Sequence, residues 1–240
     1  MPDKRHHRGA HPEDAEQFSA RHWPALREAV AELSWLLSRG YAEPSALKLV
    51  GDRHNLTARQ RIAVMRCACT DQALHSRLQR QLMPEDIAAR PLDLDLDGYN
   101  LLTTIESALG GAVVLIGRDT CWRDMASMHG TYRRVDETIP ALLLVGQTLA
   151  QLRAGHCNWW LDRPVSNSGR LAQIIRQIAQ GRGWPWTVQI VANPDQVLAD
   201  SDRLIVSADS AVLDRCGQWF NLARQVITTH VPQANVVDLR

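Results

Sequence analysis

Three aspartates stand where strand-forming stretches stop: Asp97 after Leu94-Asp95-Leu96, Asp162 after Trp159-Trp160-Leu161, and Asp209 after Val206-Ser207-Ala208. In a parallel sheet every strand points the same way, so such carboxylates emerge together at one edge. In open α/β proteins that edge is where ligands bind. Carboxylates crowded in partial burial repel one another, and a cation or protonation relieves the repulsion. Hard oxygen donors suit Mg2+ or Mn2+. An ion held by carboxylates and water can polarise a phosphodiester and lower the pKa of an attacking water. Asp214 lies near Asp209 in the chain and joins the candidate ligands. The competing reading is that each aspartate caps the helix that follows it. Strand order decides whether the acids meet, and periodicity does not contain it.

The elements that must position these residues are legible in outline. Leucine and aspartate alternate from Leu92 to Asp97, which predicts a strand with an apolar face and a carboxylate face. Asp97-Gly98-Tyr99-Asn100 then breaks the pattern with turn-forming residues. A helix over 101–109, closed by Gly110-Gly111, and a buried strand over 112–117 follow. Residues 118–134 carry no clean period and read as an irregular loop. Asp136 opens a long helix over 137–154, and a strand over 156–161 leads to Asp162. Ser168 starts an amphipathic helix stopped by Gly181, with strands expected at 187–191, 204–208 and 218–222 and a short helix at 211–215. Alternating strands and helices predict a mainly parallel sheet flanked by helices.

The first part of the chain is different. Helices are expected over 24–38, from Ser45 to Gly51, from a Thr57 cap to about residue 70, and from Asp71 through Leu82, with 83–90 as a link. The fold class is therefore α/β: a mobile polar tail at 1–17, a small all-helical domain at 18–90, and an α/β domain at 91–240. His6, His7 and His11 belong to the tail and read as solvated side chains.

Composition narrows the class. Hydrophobic residues make up 45% and charged residues 22%, with a net charge of +1, as in an ordinary soluble globular protein. No apolar run reaches the ~20 residues of a membrane helix, and the basic, polar start is no signal peptide. Five cysteines without a C-x-x-C pair predict reduced thiols and a cytoplasmic setting. Residues 51–80 hold six arginines against two acids, which suits phosphate contacts or a solvated helix face. Arg59, Arg61 and Arg66 on one face, with Ile62, Met65 and Cys69 inward, invite comparison with a helix-turn-helix reader, against a ligand-free helical bundle. Trp159, Trp160, Trp184 and Trp186 are expected to fill core. No G-x-x-x-x-G-K loop or H-E-x-x-H helix is present. Ser166, Ser168, Ser207 and Ser210 lack a histidine partner, and His129 and His156 read as structural.

Asp97-Gly98-Tyr99-Asn100-Leu101, Leu161-Asp162 and Val206-Ser207-Ala208-Asp209-Ser210 together resemble the PIN-like nucleases, above all their NYN branch. The whole chain resembles an uncharacterised prokaryotic two-domain family, in which a helical domain of unknown function 434 precedes a PIN-like domain. Its first part is carried by Leu36-Leu37-Ser38-Arg39-Gly40-Tyr41, by 45–53 and by Arg59-Gln60-Arg61, and its second by 162–169 and 209–215. The PIN-like resemblance implies divalent-metal-dependent cleavage of RNA or single-stranded DNA. It implies Asp97, Asp162 and Asp209 as catalytic metal ligands, with Asn100, Ser210 and Asp214 in support. The family adds an acid from a central helix, for which Glu106, Asp136 and Glu137 are candidates and Asp124 a substitute. Arg53, Arg59, Arg61, Arg123, Arg163 and Arg170 would hold the phosphate backbone. The expectation is a Mg2+- or Mn2+-dependent nuclease with a nucleic-acid partner, RNA first. The alternatives are a non-catalytic nucleic-acid-binding protein and a nucleotide or phosphate sensor on the same sheet edge.

Overall fold

The computed structural model describes residues 7–126 and 132–240. His6, His129 and Gly130 lie outside the described residues. The chain begins with the short α1 (Asp14–Gln17), followed by α2 (Trp23–Leu37), α3 (Glu43–Arg53), α4 (Ala58–Cys67) and α5 (Asp71–Arg80). Leu26, Val30 and Leu33 bury one stripe of α2 against Ala46 and Val50 of α3 and Ala63 and Val64 of α4. Each leucine or valine among them contributes ~1.5–3 kcal/mol on leaving water. Thr57 caps α4 in a full capping box with Gln60. The helix α3 starts earlier and runs further than its serine and glycine signals predict. Gly51 lies inside it because the Arg61 guanidinium occupies the space a side chain would need.

Next come β1 (Gln81–Leu82), α6 (Pro84–Ala89), β2 (Leu94–Asp97), α7 (Gly98–Leu109), β3 (Val114–Ile116), β4 (Trp122–Asp124) and α8 (Thr138–Gln151). The chain continues through β5 (Cys157–Asp162), α9 (Ser168–Arg182), β6 (Trp186–Val191), α10 (Pro194–Ala199), β7 (Leu204–Val206) and α11 (Ser210–Leu213). It ends with β8 (Trp219–Phe220), α12 (Leu222–His230) and β9 (Val236–Asp238). Six strands form a parallel sheet in the order β1-β8-β7-β2-β5-β6. Leu94 and Leu96 face the large core built with α7, α8, α9 and α12. The opposite face is covered by Leu198 of α10 and Val212 and Leu213 of α11. The architecture is α/β, with a helical N-terminal region and a mainly parallel sheet between helices.

Several elements differ from what local patterns predict. The 118–134 stretch contains β4, which pairs antiparallel with β3, while β9 pairs parallel with β3 on its other side. The strand expected at 112–117 thus belongs to a second, three-stranded sheet. That sheet joins the two parts of the chain, since Val113, Leu115, Val237 and Leu239 share one core with α2, α3 and α4. The link at 83–90 holds α6, with Ile87 fully buried, and Gln81–Leu82 is an edge strand rather than a helix end. On α4 the inward face is Gln60, Ala63, Val64 and Cys67, while Ile62 is exposed. Within residues 7–17 most side chains are exposed, and two contacts tie the segment to the rest of the chain. Asp14 is 1% exposed and pairs with Arg59, and His7 contacts Glu137 at 2.9 Å. Trp159 is fully buried and stacks on Trp186, which in turn stacks on Trp184. All five cysteines are buried and unpaired. Among the described residues no helix is long and apolar enough to cross a membrane.

Candidate functional site

The strand order brings the three strand-end aspartates together. β2 lies between β7 and β5, with Leu96 opposite Val206 on one side and Asp97 opposite Trp160 on the other. From β2 the chain moves outward to β5 and β6, then returns to β7 on the far side. The cleft sits at this reversal, where neighbouring connections leave in opposite directions and open a crevice. Asp97, Asp162 and Asp209 line a cleft of about 600 Å³. Tyr99, Asn100, Asp124, Arg123 and Ser210 line it too, and Glu43, Met65 and Arg66 supply a wall from the helical region.

A fourth acid, Asp195, completes the set. It stands in the first turn of α10, just after β6. It lies beyond the end of β6, so the rule applied to the other strand ends does not reach it, and the stretch between Val191 and Leu204 shows no period that draws attention. The four carboxylates feel one another. Burial is the main cause that pushes Asp97 up to about 7, against hydrogen bonds from Ser207 and the Asn100 amide, with Asp195 and Asp209 adding repulsion. Burial raises Asp162 and Asp195 as well, helped by Asp195 and Asp209 respectively. Asp97 also caps α7 through the Asn100 amide, and Asp209 caps α11 through the amides of Ala211 and Val212. Capping and convergence therefore coexist in these two. Asp162 and Asp195 cap nothing and accept no hydrogen bond from another side chain among the described residues. Gly98 is required beside Asp97, because a side chain there would strike Leu161 and the Trp160 carbonyl.

The donor set suits a hard divalent ion: carboxylate oxygens, partly free, in a cleft with room for water. Tyr99 is 2% exposed and its hydroxyl has no partner among the described residues, so one buried donor at the cleft is unsatisfied there. The spacing is open. Among the described residues the one acid-rich trio whose ligand atoms all fall within 4.8 Å is Glu28, Glu32 and His54, in the helical region. The cleft acids therefore fit an ion that takes one or two carboxylates and keeps its waters, as Mg2+ does.

Other predicted residues are engaged elsewhere. Asp124 reaches the cleft, but both oxygens are held by Thr103, Thr104 and the Ala126 amide. Glu106 points away from it, fully buried, and accepts from Arg8 and Thr138 at 2.6 Å and from Tyr132. Asp136 and Glu137 lie near His7, outside the cleft lining. Asp214 accepts from Arg77 at 2.7 Å and is likewise outside it. Arg53 pairs with Glu32, Arg59 with Asp14, and Arg61 with Asp52, while Arg66 donates to the Asp124 and Ala126 carbonyls. Each of these helical arginines thus has a partner within the protein. Arg123 is 7% exposed and forms a bidentate pair with Asp119. Burial opposes the Asp119 charge, yet Arg123 and Arg77 outweigh it and hold that carboxyl well below its usual range. Only Arg163 and Arg170 of the predicted set stay exposed without an acidic partner among the described residues.

The family described as a domain of unknown function, DUF5616, matches residues 87–225, more than half the chain. The chain belongs to this family. The DUF5616 match takes in β2, β5 and β7 and Asp97, Asp162, Asp195 and Asp209 of the cleft. Ahead of it, a family described as a protein of unknown function, DUF434, matches residues 25–80, in line with the resemblance of the helical region. A curated relative, the uncharacterized protein MJ0935 of Methanocaldococcus jannaschii, is 24% identical over 192 residues, covering 78% of this chain and 91% of the relative. No solved structure matches the chain significantly.

Proposed function

We propose that this DUF5616 protein is a divalent-metal-dependent phosphodiesterase of PIN-like type, acting on single-stranded RNA or DNA at the Asp97 cleft. The observation that carries the reading is the convergence of Asp97, Asp162, Asp195 and Asp209 on one cleft at the reversal of strand order. Asp97 and Asp162 would hold the ion, with Asp209 and Asp195 orienting its waters. A bound Mg2+ or Mn2+ supplies charge neutralisation and acidifies a water for attack on phosphorus. Asn100 and Ser210 line the same cleft and offer polar groups to a phosphate. The buried Tyr99 hydroxyl, without a partner among the described residues, would donate to a substrate oxygen. Glu43, Met65 and Arg66 wall the cleft from the helical region.

Incubation of labelled single-stranded RNA and DNA with Mn2+, Mg2+ or EDTA tests this reading. Metal-dependent product that disappears in Asp97→Asn supports it, and absence of product with either ion and either strand type contradicts it. A second reading draws on the open spacing of the acids, none of which forms a tight trio. It is a protein that binds nucleic acid or nucleotide at the same edge without cutting, and it predicts salt-sensitive affinity with no product.

A further inference from the structure

Beside the acidic cleft lies a cavity of about 330 Å³ with the opposite charge. Arg133 and Arg134 line it from the turn before α8, and Arg170 lines it from the first turn of α9. All three are exposed, and among the described residues none donates to a partner. This sets them apart from Arg53, Arg59, Arg61 and Arg66, whose guanidiniums are engaged. The one acid in the lining is Asp136, which itself faces His7 at 3.6 Å. Three like charges therefore crowd a concave surface against a single carboxylate. Arg170 adds to the repulsion, because a cation near a helix N-terminus opposes the dipole and α9 has no acid in its first turn. An anion would relieve both.

The two cavities share a wall. Tyr99 lines the cleft, Tyr132 lines the basic cavity, and their rings pack at 5.2 Å. The turn from Asp162 to Asn167 runs from one to the other, with Val165 on the cleft and Asn167 on the cavity. Building on the phosphodiesterase reading, we propose that Arg133, Arg134 and Arg170 form an anion site for the backbone phosphates of the strand whose scissile bond lies over the aspartates. Guanidiniums suit that task through paired N–H donors. Binding there would rest on phosphates and carry no sequence preference.

The test uses the full chain and a labelled single-stranded RNA oligonucleotide in EDTA, so that binding is read without cleavage, by fluorescence anisotropy across a salt series. Arg170→Gln and the double variant Arg133→Gln/Arg134→Gln are compared with the parent, with melting curves to confirm folding. Each is expected to weaken binding roughly tenfold at low salt and to make the slope of log K against log salt shallower by about one for every phosphate no longer neutralised. Unchanged affinity and slope would overturn the site, as would a mononucleotide that displaces the oligonucleotide at equal nucleotide concentration. If the arginines govern binding but no metal yields product, the anion site stands and the phosphodiesterase reading falls. If metal yields product while the arginine variants bind like the parent, the phosphodiesterase reading stands and the anion site falls.

Discussion

Ser207 donates its hydroxyl to Asp97 at 2.7 Å, joining the ends of two neighbouring strands at the floor of the acidic cleft. The same hydroxyl accepts from the Asp209 amide at 3.0 Å. One serine thus ties together the two aspartates that also cap helices. Their geometry is set by the sheet and its helix starts, and the remaining acids face a floor already in place.

The raised pKa of Asp97 makes metal-free stability depend on pH. In the folded protein Asp97 titrates at about 7, against about 3.9 in an unfolded chain. Between these values the folded state holds the proton that the unfolded state has released, so stability falls as pH rises. The contribution is fully present below about pH 4 and is lost through about pH 7, by as much as ~4 kcal/mol. Denaturant melts in EDTA at acidic and alkaline pH should show this loss, and Asp97→Asn should shrink it and be the more stable protein at alkaline pH. An unchanged pH slope in the variant would place the pH dependence elsewhere.

Asp119 is expected to be the most sensitive acid outside the cleft. It is 1% exposed and takes both Arg77 and Arg123, and these two arginines reach the carbonyls of Ser210 and Ala208 on either side of Asp209. Asp119→Ala strands the buried Arg123 guanidinium and leaves Arg77 with Asp214 alone, and breaking a buried pair costs about 3–5 kcal/mol. Urea melts should show a loss of that order, whereas a loss below about 1 kcal/mol would mean that water replaces the carboxylate at little cost.

Glu106 separates a structural acid from a cleft acid. Glu106→Gln removes the charge facing Arg8 and disturbs the bonds from Tyr132 and Thr138, a loss of about 1–3 kcal/mol. Any metal-induced rise in Tm should persist in this variant. Its disappearance would bring Glu106 back into the site.

The strand-end aspartates are readable in the sequence because an apolar or alternating run that stops at Asp is a local pattern. What brings them together is strand order, which depends on contacts between residues far apart in the chain. Glu106 shows the same limit: helical spacing puts it on α7, but its partner Arg8 lies 98 residues away. The arginines of α4 read as a basic face because their acids, Asp14 and Asp52, belong to other elements. Three-residue strands such as β4 and β9 are too short to display a period. Asp195 lies past the end of β6, in the first turn of the short helix α10, where strand-end logic does not reach it. Gly98 is visible as a turn residue, though its close approach to β5 is not.

The most direct test of the acidic cleft is Mn2+ binding by titration calorimetry. It should be made in a Glu32→Gln/His54→Asn background, so that the trio in the helical region does not contribute. Mn2+ binding with a rise in Tm is expected, both abolished by Asp97→Asn and by Asp162→Asn and both kept in Glu106→Gln. Mn2+ binding that survives both aspartate substitutions, or no binding at millimolar Mn2+, would contradict this reading of the cleft.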